Sequence, residues 1–174
     1  MMTMSWTLPV DDQGGPDSPR IDRVSLWQAM LHKAEEPTGY VPAITECTVL
    51  ERYDDGFLRE ARRGPRRLLQ RVVTDEAGGR ITFQHRDDDW VSEISNEIGS
   101  DDDGRLTLTL TLTLAPGLAA GVLAESRSLR DLNEDFVGTM AAMTAALRVH
   151  CLDALTTAHP ALSRRPDDDH RCGP

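Results

Sequence analysis

Leu106-Thr107-Leu108-Thr109-Leu110-Thr111-Leu112-Thr113-Leu114 alternates without interruption over nine residues. A period of two sends every leucine to one side and every threonine to the other, which is the pattern of a β-strand with one buried and one wet face. Threonine suits such a strand, because its branched β-carbon packs well on a pleated surface. A strand of this kind belongs to an antiparallel sheet. The run continues to Ala124 without a charge, but its alternation and the break at Pro116-Gly117 argue against a membrane helix.

Working upstream, turn residues mark the other strands. Glu46–Tyr53 and Phe57–Arg63 flank Asp54-Asp55-Gly56, a hairpin signal in which glycine supplies a positive φ. Leu68–Asp75 and Arg80–Arg86 flank Glu76-Ala77-Gly78-Gly79, and Asp89–Gly99 leads through Asp101-Asp102-Asp103-Gly104 into the Leu/Thr run. Six consecutive strands with short connections make a meander. Ser5–Val10 is expected as a seventh strand, separated by the Gly/Pro-rich loop 11–20.

Helical periods bracket the meander. Val24–Glu36 aligns Val24, Trp27, Met30, Leu31 and Ala34 before Pro37, with a short turn expected at Tyr40–Ile44. Ser128–Ala158 repeats Leu129, Leu132, Phe136, Met140, Met143, Leu147, Cys151 and Leu155 at steps of three and four. A curved antiparallel sheet around one long helix buries these faces in a single core, so the fold class is α+β. Residues 1–158 are read as one domain and 159–174 as a disordered polar tail.

The 174-residue chain carries a formal charge of −10. That balance speaks against nucleic-acid binding through a general basic surface. Of 19 aspartates, 13 fall in clusters at 11–12, 54–55, 87–89, 101–103 and 167–169, all in expected loops, turns or tail. Three separated cysteines, Cys47, Cys151 and Cys172, indicate neither a disulfide framework nor a zinc site. The amino-terminal residues lack a signal-peptide pattern, and the reading is a cytoplasmic protein with no membrane partner.

The ordered set Leu26-Trp27, Lys33-Ala34-Glu35 with Pro37, Tyr40-Val41-Pro42, Cys47-Thr48-Val49-Leu50-Glu51 and Leu58-Arg59-Glu60 resembles the AtaL-like branch of the START-like SRPBCC superfamily. It continues with Arg71-Val72, Ile81-Thr82-Phe83, Ile94-Ser95-Asn96-Glu97-Ile98 and Asp103-Gly104-Arg105-Leu106, over residues 21 to 150. The resemblance implies a helix-grip fold: a seven-stranded antiparallel sheet wrapped around the carboxy-terminal helix, with short helices after the first strand. It also implies a cavity for an apolar, aromatic or polyketide-like ligand, and either cyclase or dehydratase-like chemistry or a noncatalytic carrier role. Gln70 stands where that branch is expected to carry an acid, and Tyr40 where it is expected to carry Phe. No resident cofactor is implied, and the chain is expected to be a monomer or homodimer.

On such a fold the expected lining includes Trp27, Phe57, Phe83, Ile94, Leu108 and Leu110, with Phe136, Met140, Met143 and Leu147 from the long helix. Strand parity adds polar candidates. Ser92 and Asn96 share a face with Trp90, Ile94 and Ile98, as sparse polar groups on an apolar wall. Asn96 pairing with backbone at a bulge is the other reading. Arg59 shares a face with Phe57 and Ala61, and a guanidinium inside a cavity needs an anion or a ligand oxygen. The alternative is a surface arginine paired with Glu60 or Glu51. His85 and His150 are candidate proton carriers beside apolar positions, or structural histidines.

Arg62, Arg63, Arg66 and Arg67 cluster with Arg59 and Arg71 at one hairpin, either as a solvated rim or as an anion site. The aspartate triplets lack the alternating ligands and central glycine of a calcium loop, so no metal is expected. No phosphate-binding glycine loop or Gly-x-Ser-x-Gly is present. A third possibility is a filled core in a protein that works through its surface.

Overall fold

The computed structural model describes residues 2–10, 20–86, 91–115 and 126–158, and its Leu/Thr run forms a strand from Leu106 to Leu114. Seven strands make one antiparallel sheet: β1 (Met2–Pro9), β2 (Ile44–Tyr53), β3 (Gly56–Arg63), β4 (Arg66–Asp75), β5 (Arg80–His85), β6 (Val91–Ser100) and β7 (Leu106–Leu114). Their order across the sheet is β1-β7-β6-β5-β4-β3-β2, a meander with the amino-terminal strand added beside the last one. Helix α1 (Arg23–Glu35) and a 3-10 turn (Pro37–Gly39) precede β2, and α2 (Ser126–Ala158) closes the fold.

The leucines of β7 face inward, with Leu108 and Leu112 wholly buried. Each such side chain contributes about 1.5–3 kcal/mol by leaving water. The threonine face is drier than the alternation predicts. Thr7 and Ser5 of β1 bond Thr109 and Thr111 through hydroxyls at 2.8 and 2.9 Å, while Thr107 and Thr113 are buried. The reason is position: β7 is second from the edge, so β1 and β6 shield it on both sides.

Gly56 opens β3 with φ +140°, and a β-carbon there would lie 2.1 Å from the Val72 carbonyl oxygen. That approach closes the hairpin after Asp54-Asp55. Asp101 organises the β6–β7 turn in the same local manner: its carboxylate accepts from the backbone N–H groups of Asp103 and Arg105 at 3.0 and 2.9 Å. These bonds, the Arg105 one foremost, hold its pKa below the ordinary carboxylate value. The triplet at 101–103 therefore serves a turn. The triplets at 87–89 and 167–169, the loop 11–19 and the tail 159–174 lie outside the described residues.

Helix α1 begins at Asp22, whose side chain accepts from the Ser25 N–H at 2.7 Å, and it stops before Pro37. Its buried face differs from the expected one. Val24 is 70% exposed, and Leu26, Ala29 and Lys33 join Trp27, Met30 and Ala34 inside. A 3-10 turn at Pro37–Gly39, where proline presets the first φ, precedes the short turn expected at Tyr40–Ile44, which the Ile44 N–H closes by donating to the Val41 carbonyl at 2.9 Å. On α2, Met140, Met143, Leu147 and Cys151 are buried at the expected spacing. No helix of the described residues is long and apolar enough to cross a membrane.

Candidate functional site

The core is filled at one end of the sheet and hollow at the other. Phe57, Val72, Ile81, Ile98, Leu108 and Leu147 pack together at the filled end. Two residues further along the same strands, Arg59, Gln70, Phe83, Asn96 and Leu110 surround a cavity of about 140 Å³. Helix α2 covers it with Phe136, Thr139 and Met143, and α1 contributes Lys33. Arg63, Arg66 and Ala43 are exposed and form the mouth. A closed space of about 150 Å³ admits a benzene-sized guest.

The expected lining residues divide along that boundary. Phe83, Ile94, Leu110, Phe136 and Met143 line the cavity, together with Arg59, Asn96 and His85. Trp27, Phe57, Leu108, Met140 and Leu147 face inward but belong to the packed core, being 4% exposed or less. Ser92 is also not on the wall; its hydroxyl donates to the Thr113 carbonyl at 3.1 Å. A register shift between Val91 and Glu93 breaks the parity of β6, so Val91 replaces Ser92 on the inner face. Trp90 lies outside the described residues. His150 stands away from the cavity, stacked on His32 at 4.7 Å with Tyr40 beside it. Burial pushes the Tyr40 hydroxyl up to about 12.

Arg59 is buried, contrary to the surface alternative: Glu60 pairs with Arg67 at 3.0 Å and Glu51 accepts from the Tyr53 hydroxyl at 2.7 Å. Its Nε donates to Gln70 Oε1 at 2.9 Å, and Nη1 donates to the Ala34 carbonyl. The guanidinium also sits 4.7 Å from the Phe83 ring centroid. No carboxylate among the described residues pairs with it. Burial lowers its pKa to about 10, which leaves it charged at neutral pH, and the Cys47 thiol works weakly in the opposite direction.

Gln70 continues the chain of contacts. With its oxygen taken by Arg59, its Nε2 donates to His85 Nε2 at 2.8 Å, so that the imidazole proton sits on Nδ1. Asn96 does not pair with backbone at a bulge; its Oδ1 accepts from Lys33 Nζ at 2.6 Å. Lys33 is 4% exposed, lies 3.2 Å from the Met143 sulfur and 5.4 Å from the Phe83 centroid. Burial first, and the Arg59 charge second, lower its pKa to about 7.

Lys33 and Gln70 figure in the family resemblance but are not among the expected site residues. A signal for Lys33 was present, because it continues the step Leu26, Met30, Lys33 along the buried side of α1. Gln70 follows Leu68 at strand parity and precedes Val72, which places it inside.

A family model described as acetylaranotin biosynthesis cluster protein L, AtaL, matches residues 4–149. The chain belongs to the AtaL family. No protein of curated function matches it in sequence. Solved structures that resemble this AtaL-family chain at low identity include the following three. The ZhuI aromatase/cyclase from a Streptomyces species is 14% identical with a TM-score of 0.62, covering 90% of this chain and 97% of that one. A START superfamily protein from Mycobacterium smegmatis is 14% identical at 0.58, covering 87% and 98%. The di-domain aromatase/cyclase StfQ of the steffimycin biosynthetic pathway is 11% identical at 0.62, covering 88% of this chain and 52% of that one. At such identities the likeness establishes the helix-grip, START-like fold of the AtaL-family chain. Its chemistry is a separate matter.

Proposed function

We propose that the cavity binds a ring-bearing apolar metabolite with a carbonyl or enolate oxygen, and that its polar end promotes cyclisation or dehydration of that ligand. The observation that carries this reading is Arg59, a buried guanidinium that faces the cavity with no carboxylate partner among the described residues. A ligand oxygen beside it supplies the missing acceptor, and any negative charge that develops there is stabilised in a poorly solvated site.

Apolar surfaces of Phe83, Ile94, Leu110 and Phe136 hold the ring. His85 lies on the same wall, its Nε2 bonded by Gln70 and its proton on Nδ1, which makes it a proton donor in this arrangement rather than a base. Transfer of a proton from the carbon next to the carbonyl to the neutral Lys33 amine gives an enolate, whose oxygen Arg59 holds, and confinement sets which carbon it attacks. The convergence of Lys33, Arg59, Gln70 and Asn96 on one end favours this reading over a carrier, for which an apolar cavity suffices.

Native mass spectrometry of the chain purified from its own host tests the proposal. A stoichiometric small molecule carrying a conjugated ring is expected, with occupancy lost in Arg59→Met. Recovery of the bare chain, together with no binding of aromatic ketones or carboxylates, overturns it.

A further inference from the structure

Of the 19 lysine and arginine residues in this chain, 18 are arginine. The single lysine is Lys33, and it is not on the surface: it is 4% exposed and lines the cavity. Arginine serves every other cationic position, which makes the exception informative. Arginine stays protonated and cannot act as a nucleophile, whereas a lysine amine can lose its proton when buried.

We propose that Lys33 is a covalent capture residue, whose amine condenses with an aldehyde or ketone of the cavity ligand to form an imine. The inference rests on the ligand-binding reading above and deepens it. Three features of the site support it. Asn96 Oδ1 fixes Nζ at 2.6 Å and occupies one N–H, so a neutral amine keeps its lone pair for attack. Phe83 and Met143 form an apolar collar, and no carboxylate among the described residues stabilises the ammonium. Arg59, 4.7 Å from the centroid of the same Phe83 ring, supplies a cation that can polarise a carbonyl oxygen.

The step balances within the amine and the carbonyl. The Lys33 nitrogen attacks the carbonyl carbon, a C–N bond forms, and the carbonyl oxygen takes up the two amine protons and leaves as water. No oxidant or reductant is consumed. The amine must be neutral, and burial beside Arg59 brings its pKa to about 7, which leaves a large neutral fraction at ordinary pH. The groups facing Nζ are Arg59 from β3, Phe83 from β5, Asn96 from β6 and Met143 from α2. Arg59 is the one that carries a charge.

The test treats the full chain with benzaldehyde and sodium cyanoborohydride near pH 7, with benzyl alcohol as a matched ligand that cannot condense. Peptide mapping is expected to find a benzyl adduct on Lys33, absent from Lys33→Arg and Lys33→Met. Its rate should exceed that of Nα-acetyl-lysine by about tenfold or more, because so little of an ordinary lysine is neutral there. Calorimetric binding of benzyl alcohol with an adduct only on the terminal amine, or with Lys33 no faster than the free amino acid, overturns the covalent role and leaves the ligand reading standing. Failure of benzyl alcohol to bind, with no adduct on Lys33, removes both.

Discussion

Gln70 Oε1 accepts a hydrogen bond from Arg59 Nε at 2.9 Å, so a neutral amide occupies the place of a counter-ion to a buried guanidinium. The charge of Arg59 is thereby oriented without being cancelled. Gln70, the Ala34 carbonyl and the Cys47 side chain are its neutral partners, and a ligand oxygen in the cavity can add a charged one. A carboxylate at position 70 would alter that balance while keeping size and geometry nearly constant.

Gln70→Glu is therefore expected to weaken benzoate binding by about tenfold or more, about 1.4 kcal/mol, because the new carboxylate competes for Arg59 and repels the ligand. Benzyl alcohol, which carries no charge, should bind within about twofold of wild type. Isothermal titration of both ligands checks this. Equal losses for the two would mean that the substitution disturbed the cavity rather than its charge.

Lys33→Met should stabilise the protein at low pH more than at high pH. Lys33 has a folded pKa of about 7 against an ordinary value of 10.5. Below pH 7 both states are protonated and the full cost of burying the ammonium is present. As pH rises from 7 to 10.5 the unfolded chain binds more protons than the folded one, so wild-type stability climbs toward the variant. The narrowing is on the order of a few kcal/mol, and urea midpoints at acidic and alkaline pH measure it. A constant difference between the two proteins would show an ordinary lysine pKa.

Leu112 is wholly buried in β7 and is not among the residues that line the cavity. Leu112→Ala should cost about 2–5 kcal/mol of stability by leaving a void. Benzoate affinity is expected to hold under conditions where the variant remains folded. A ligand-binding loss in proportion to the stability loss would show that the packing of Leu112 against Ile94 and Phe136 fixes the cavity wall.

Gly56→Ala should destabilise the β3 hairpin by more than about 1 kcal/mol, since the backbone φ of +140° and the 2.1 Å approach to the Val72 carbonyl leave no room for a methyl group. Thermal unfolding reads this directly, and an unchanged melting temperature would contradict the turn geometry.

The sheet was legible because its signals are local. The Leu/Thr alternation ends at the observed limits of β7, and Asp54-Asp55-Gly56 marks the β2–β3 turn. Parity also placed Arg59 and Asn96 inside. What parity cannot carry is position along the strand. Leu108 and Leu110 follow the same rule, yet one is packed and the other faces the cavity, because the fill depends on side chains from α1 and α2. Ser92 was misplaced because one residue of irregularity between Val91 and Glu93 reverses the faces of β6, and no glycine or proline announces it. His150 lies beside the apolar stripe, on the flank of α2 that meets His32 of α1, a pairing visible only in three dimensions.

The central claim, that the cavity holds the ligand, is tested most directly by titrating benzoate into wild type and Ile94→Trp by calorimetry. Ile94 is half-buried on the cavity wall, so an indole there fills the space without entering the packed end of the core. Saturable binding of one benzoate per wild-type chain, weakened by about tenfold or more in the folded variant, is the expected result. Equal binding by both proteins would place the ligand elsewhere and contradict the account.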